Sequence, residues 1–181
     1  MALLLVMKIA VCGSSIITNK EAAKKAFEIG KEIAKNKFLL LTGAGKGYPY
    51  EAAKGAFSAK GEVFGVSPAA NEEEHANKYS FPTDNFTKIK FTGLGIPGRN
   101  FPLVKEAAAI IIVSGQIGSL NEFTIAFHYN KPIGVLKGSG GIIDIIEKIA
   151  EICNKRDEKE NVVYSSEPKE LVQLIIGRLN Q

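Results

Sequence analysis

The residues with the most chemistry to offer fall in one short segment, Ser114-Gly115-Gln116-Ile117-Gly118-Ser119-Leu120-Asn121-Glu122. Gly118 and Ser119 stand at a predicted helix start, where a hydroxyl and unpaired backbone N–H groups can hold a phosphate and the helix adds partial positive charge. Glu122 follows Ser119 by three residues, in the expected first turn. That spacing has two readings. The carboxylate closes a capping box with Ser119, or it faces the sugar or base of a ligand whose phosphate sits on Ser119. Arg99 stands out by composition, since the chain has three arginines against twenty lysines. It sits in a loop rich in glycine and proline, Gly93-Leu94-Gly95-Ile96-Pro97-Gly98-Arg99-Asn100. An arginine there can grip a phosphate or carboxylate through two parallel hydrogen bonds.

Further glycine clusters follow apolar runs at Cys12-Gly13-Ser14-Ser15, Gly43-Ala44-Gly45-Lys46-Gly47 and Gly138-Ser139-Gly140-Gly141. One such loop needs glycine merely to turn. Several at one end of a sheet favour a crevice in which backbone amides approach an anion. The candidate ligand-binding positions are therefore Gly13 and Ser14, then Gly43, Gly45 and Lys46, then Asn100, Gly115, Gln116, Gly118 and Ser119. Lys46 either adds charge to a phosphate site or is simply exposed. Neither named nucleotide motif is present. The 43–47 loop lacks the spacer and the Ser/Thr of a Walker A loop, and the 12–15 loop is not the dinucleotide GxGxxG.

The elements that must position these residues alternate along the chain. Apolar runs at 6–12, 38–42, 62–66, 88–92, 109–113, 132–136 and 161–164 read as strands. Helical patterns cover 19–35, 51–60, 101–107, 120–129, 142–153 and 168–179, with Pro102 placed in a first turn. The acidic stretch 71–75 reads as part of a polar loop running to about residue 85. This is the signature of βαβ units. It predicts an α/β, Rossmann-like, doubly wound fold: a mostly parallel sheet of about seven strands, helices on both faces, one domain over 1–181.

Bulk properties exclude several classes. With 181 residues the chain can bury a core without staples. Cys12 and Cys153 form no paired or metal-like spacing, and read as reduced thiols of a cytoplasmic chain. His75 and His128 have no matching ligand set, so no metal site is expected. Residues 1–6 are too short an apolar lead for a signal segment, with Met7 an alternative start, and no apolar run is long enough to span a membrane. The formal charge of +4 comes from scattered lysines, several on the solvent face of one amphipathic helix, so no nucleic-acid surface is expected.

Taken together, Gly115-x-x-Gly118-Ser119-x-x-Glu122 with Arg99-Asn100 upstream resembles the PGGxGTxxE signature and arginine of the LOG-type, lysine-decarboxylase-like proteins. Gly13-Ser14-Ser15, Thr42-Gly43-Ala44-Gly45 with Glu51–Ala56 following, and Gly65-Val66-Ser67-Pro68 resemble the same family's earlier loops. Thr92-Gly93-Leu94-Gly95, Lys131-Pro132 and Gly138-Ser139-Gly140-Gly141 are similar to a short branch that includes molybdenum cofactor carrier proteins. The resemblance implies a Rossmann-like fold, a homodimer or tetramer, and a small phosphate-bearing ligand, either an AMP-like nucleotide or a molybdopterin-like molecule, with no cofactor required. In the hydrolytic members the residues matching Arg99 and Glu122 are catalytic. The departures are Gln116 for glycine, Ser114 for proline, Ser119 for threonine, Asn100 for lysine, and Pro97-Gly98 for the methionine and histidine. They favour a nucleotide- or phosphate-ligand-binding protein, with nucleoside 5′-monophosphate phosphoribohydrolysis as the alternative. Pyridoxal-dependent lysine decarboxylation is rejected, because no lysine has the setting of a Schiff base.

Overall fold

Strand and helix alternate as the apolar pattern requires, and the computed structural model describes residues 7–154 and 157–181. The lead-in at 1–6, the first residue of the expected opening strand and Arg156 lie outside them. The strands are β1 (Lys8–Gly13), β2 (Leu39–Thr42), β3 (Val63–Ser67), β4 (Lys88–Phe91), β5 (Ala109–Val113), β6 (Ile133–Leu136) and β7 (Val162–Ser165). Between them run α1 (Lys20–Lys35), α2 (Tyr48–Ser58), α3 (Glu72–Asn77), α4 (Gly95–Glu106), α5 (Ile117–His128) and α6 (Ile143–Cys153), with α7 (Pro168–Leu179) after β7. All seven strands are parallel, in the order β4-β3-β2-β1-β5-β6-β7.

Every residue of β5 is buried, as expected of a β-branched strand covered on both faces. Alternate residues of the central strands feed two cores. Ile9, Val11, Ile111 and Val113 pack under α1, α2 and α7, whereas Ala10, Cys12, Ile110 and Ile112 pack under α4, α5 and α6. The edge strand β4 is exposed at its lysines, Lys88 and Lys90, which keeps it from pairing further. Among the described residues no helix is long and apolar enough to cross a membrane.

Several element boundaries differ from the sequence reading. Residues 72–77 form α3 rather than loop. The Asn71 side chain accepts from the Glu74 amide at 2.9 Å while Glu74 accepts from the Ala70 amide at 2.7 Å, a reciprocal cap that starts a helix in an acidic stretch. Helix α4 begins at Gly95 rather than 101, so Arg99 and Asn100 stand on a helix, and Pro102 lies inside it rather than in its first turn. Pro97 accounts for the early start: its fixed φ suits a first turn, where its missing N–H would have had no acceptor. Helix α5 likewise begins at Ile117, with Gln116 as N-cap. Ser119 is therefore not the cap, and Glu122 lies beyond the first turn. The capping-box reading of Glu122 fails.

Candidate functional site

Sheet growth reverses at β1: β2, β3 and β4 lie to one side of it, β5, β6 and β7 to the other. In such sheets a crevice opens outside the carboxyl ends of the strands at the reversal. Here the loops leaving β1, β2 and β5 meet α4 and α5 around a cleft of about 270 Å³. The β1 exit contributes Gly13, Ser14 and Ser15, and the β2 exit contributes Gly43, Gly45 and Lys46. From α4 come Ile96, Arg99 and Asn100, and from the start of α5 Gln116, Gly118, Ser119 and Glu122. The structure thus brings together every candidate position except one. Gly115 does not line the cleft; its carbonyl accepts from the Ile142 amide at 3.0 Å, and it shapes the loop at φ +115°.

The loops are held from beneath by side chains that the sequence reading passed over. The Ser139 hydroxyl accepts from the Ser114 amide at 2.7 Å and donates to the Leu136 carbonyl at 2.7 Å, which fixes the β5 exit. Tyr48 is fully buried, and its hydroxyl accepts from the Thr18 and Asn19 amides at 3.2 and 3.0 Å, fastening the β1 exit to the start of α1. Gly47-Tyr48-Pro49 after a glycine loop was the available signal for it, because a proline in a helix's first turn marks where α2 starts. Gln116 is exposed at the cleft wall, so the hollow remains open. Its side chain makes no cap to α5, and the first-turn amides of this helix have no intrahelical acceptor. Lys46 is exposed at the rim. The Asn100 amide group reaches across to α5, donating to Asn121 Oδ1 at 2.9 Å, so it ties the two helices that carry Arg99 and Glu122.

The floor is ionic. Arg99 and Glu122 are both buried, with Nη1 and Oε1 3.8 Å apart. The guanidinium packs against the β2 exit: a Cβ at Gly43 would sit 1.6 Å from Arg99 Nη1, so this packing needs glycine there. Among the described residues, Arg99 Nε is the one buried side-chain nitrogen or oxygen with no hydrogen-bond partner. A buried, unpartnered charge-bearing N–H is costly unless something arrives to accept it. Burial pushes the Glu122 carboxyl up to about 7, against a smaller downward pull from Arg99 and a hydrogen bond from Cys12. The Cys12 thiol, at the end of β1, is itself pushed up, first by burial and then by the Glu122 charge, so it is a neutral thiol and not a nucleophile. Chemically the site offers an anion-binding rim, a cation short of one acceptor, and a carboxyl poised to exchange a proton near neutrality.

Phe81 also lines the cleft, from the segment after α3 that composition marks only as polar. Among the described residues no three His, Cys, Asp or Glu side chains come together as metal ligands.

The chain resembles solved structures over nearly its whole length. The molybdenum cofactor binding protein of the phototrophic bacterium Rippkaea orientalis superposes with a TM-score of 0.82 at 25% identity, covering 97% of this chain and 99% of that one. The molybdenum cofactor carrier protein of Chlamydomonas reinhardtii gives 0.80 at 24% identity, with 97% and 99% covered. An uncharacterized protein of Archaeoglobus fulgidus is 29% identical over 132 residues, 72% of this chain and 80% of its own. The model of the SLOG cluster4 family matches residues 6–172. Glycine loops, arginine and glutamate meet at the reversal of its parallel sheet, and the chain belongs to the SLOG cluster4 family.

Proposed function

We propose that the cleft binds one phosphate-bearing, nucleotide-like molecule, either AMP-like or molybdopterin-like, and carries it without consuming it. The observation that carries this reading is Arg99: a guanidinium packed over Gly43, buried, and with its Nε lacking a partner at the floor of an amide-rich cleft. A phosphate or an acidic heteroatom of the ligand supplies the missing acceptor. The α5 N-terminus and the Gly13-Ser14 amides hold the phosphate. The names of the structural neighbours, which are molybdenum cofactor binding and carrier proteins, support a molybdopterin-like ligand in particular. Self-association as a homodimer or tetramer belongs to the same reading, because Ile96 and Ile117 are exposed apolar side chains lining the cleft. Light scattering reads the assembly directly.

One observation favours a second reading. Glu122 at about 7 beside a cation suits general acid–base work or stabilisation of a cationic ribosyl group, as in phosphoribohydrolysis of a nucleoside monophosphate. One experiment separates the two. The protein is titrated calorimetrically with AMP, GMP and molybdenum cofactor released from a molybdoenzyme, and each mixture is assayed for free base and ribose 5-phosphate. Saturable binding without product, lost in Gly43→Ala, is the carrier's result. Product that vanishes in Glu122→Gln establishes the hydrolase and overturns the carrier.

A further inference from the structure

The cleft has a second kind of wall. Phe81 is half-buried, and its ring tip rests against the β2 exit loop: a Cβ at Gly45 would lie 3.4 Å from Phe81 Cζ. Gly45 follows β2, whereas Ser119 follows β5, and β1 lies between those strands. The strands that lead to the aromatic wall and to the α5 helix start thus lie two strand spacings, about 10 Å, apart. That span suits a phosphate at one end and a planar ring at the other.

The ring is placed by a buried polar anchor. His75 is fully buried, and its Nε2 lies 3.0 Å from the Pro82 carbonyl, which can only accept, so Nε2 carries the proton. Its Nδ1 then accepts from the Ser67 hydroxyl at 2.8 Å. The Phe81 amide donates to the His75 carbonyl at 3.1 Å, and the two rings meet edge to face with centroids 5.6 Å apart. Tyr79 flanks Phe81 at 5.4 Å. A histidine satisfied at both nitrogens thus holds an aromatic side chain at the edge of a charged cleft, in a segment with no other evident task.

We propose that Phe81 is the specificity residue of this site, stacking on the heteroaromatic ring of the ligand, so that the cleft selects phosphates joined to a purine or pterin over sugar phosphates. The inference rests on the ligand-binding reading above and deepens it. Its test compares AMP and GMP, whose guanine shares the amino-oxo edge of a pterin, with ribose 5-phosphate, which has the phosphate and sugar but no ring. Calorimetry on the wild type, Phe81→Ala and Phe81→Tyr reads the three affinities. In the wild type at least one nucleotide binds about tenfold or more tighter than ribose 5-phosphate, the usual effect of one base–aromatic stack. Phe81→Ala removes that preference and leaves ribose 5-phosphate unchanged, whereas Phe81→Tyr retains it. Equal wild-type affinities for all three overturn the role of Phe81 and leave the anion site standing. A parallel loss for all three in Phe81→Ala overturns it too, since the ring then merely supports the loop. If none of the three binds, the AMP-like form of the ligand-binding reading falls, and this inference with it.

Discussion

Helix α1 and the cleft floor both hold acid–base pairs, and they do opposite work. On α1, Lys24 faces Glu21, Lys31 faces Glu28 and Lys35 faces Glu32, each three residues apart and each with a well-exposed lysine. Water screens the lysine of each pair, so these pairs dress a solvated face opposite Ala22, Ala26, Ile29 and Ile33. Arg99 and Glu122 come from different helices, are buried together, and sit farther apart than Lys35 and Glu32, at 3.8 Å against 2.6 Å. There the loss of water outweighs the attraction, and the carboxyl titrates near 7 instead of its ordinary range. The geometrically better pair is the one that matters less. Burial decides which carboxyl is shifted toward neutrality.

The largest expected consequence lies at Glu122. A carboxyl raised from 4.5 to about 7 on folding contributes its full stability below the unfolded value, and that contribution is lost as pH rises through 7. Between pH 5 and 8 the wild type should lose about 2–3 kcal/mol relative to Glu122→Gln, whose amide does not titrate. Urea denaturation of both proteins at several pH values across this range measures the difference. Parallel curves would show that Glu122 is ionised like a surface acid, and would erase the contrast with α1.

Arg99→Met comes next, and its effect is bounded by the same titration. Breaking a buried pair is severe when the stranded charge cannot be neutralised. Glu122 can be neutralised, because at pH 8 it needs to remain protonated only about one unit above its present value, worth about 1.4 kcal/mol. The cost should therefore be small at pH 6 and grow above pH 7, while ligand affinity disappears at both. A loss of stability independent of pH would mean that the arginine acts by packing alone.

Much of this contrast was legible in the sequence, and the rest failed for definable reasons. The Ala109–Val113 run announces a strand buried on both faces, whereas Asn19, read as the first residue of the α1 pattern, is its cap and accepts from the Glu21 and Ala22 amides at 3.0 and 3.1 Å. Glycines after successive strands marked the loops that line the cleft, because that placement reflects topology. The start of α4 was hidden, since Gly-Ile-Pro-Gly has the composition of a loop whatever its backbone does. Cys12 touching Glu122, and Phe81 reaching Gly45, join residues far apart in the chain, and no local pattern encodes such meetings. His75 read only as part of a polar loop, because its partners, Ser67 and the Pro82 carbonyl, become neighbours only after the chain turns back.

The smallest effect is expected where the pairing geometry is best. Lys35→Gln removes the cation of the 2.6 Å pair with Glu32. The hydrogen bond to Glu32 raises the Lys35 ammonium above its ordinary value, yet the group is solvated on every side that matters, and its rotamer freedom offsets what the contact contributes. The denaturation midpoint should stay within measurement error at pH 7 and be insensitive to added salt, while nucleotide affinity is untouched. A clear loss of stability, restored by the Arg variant at the same position, would show that α1 leans on its surface charge. The division between a dressed face and a working floor would then have to be redrawn around the packing of α1 on α2 and α7.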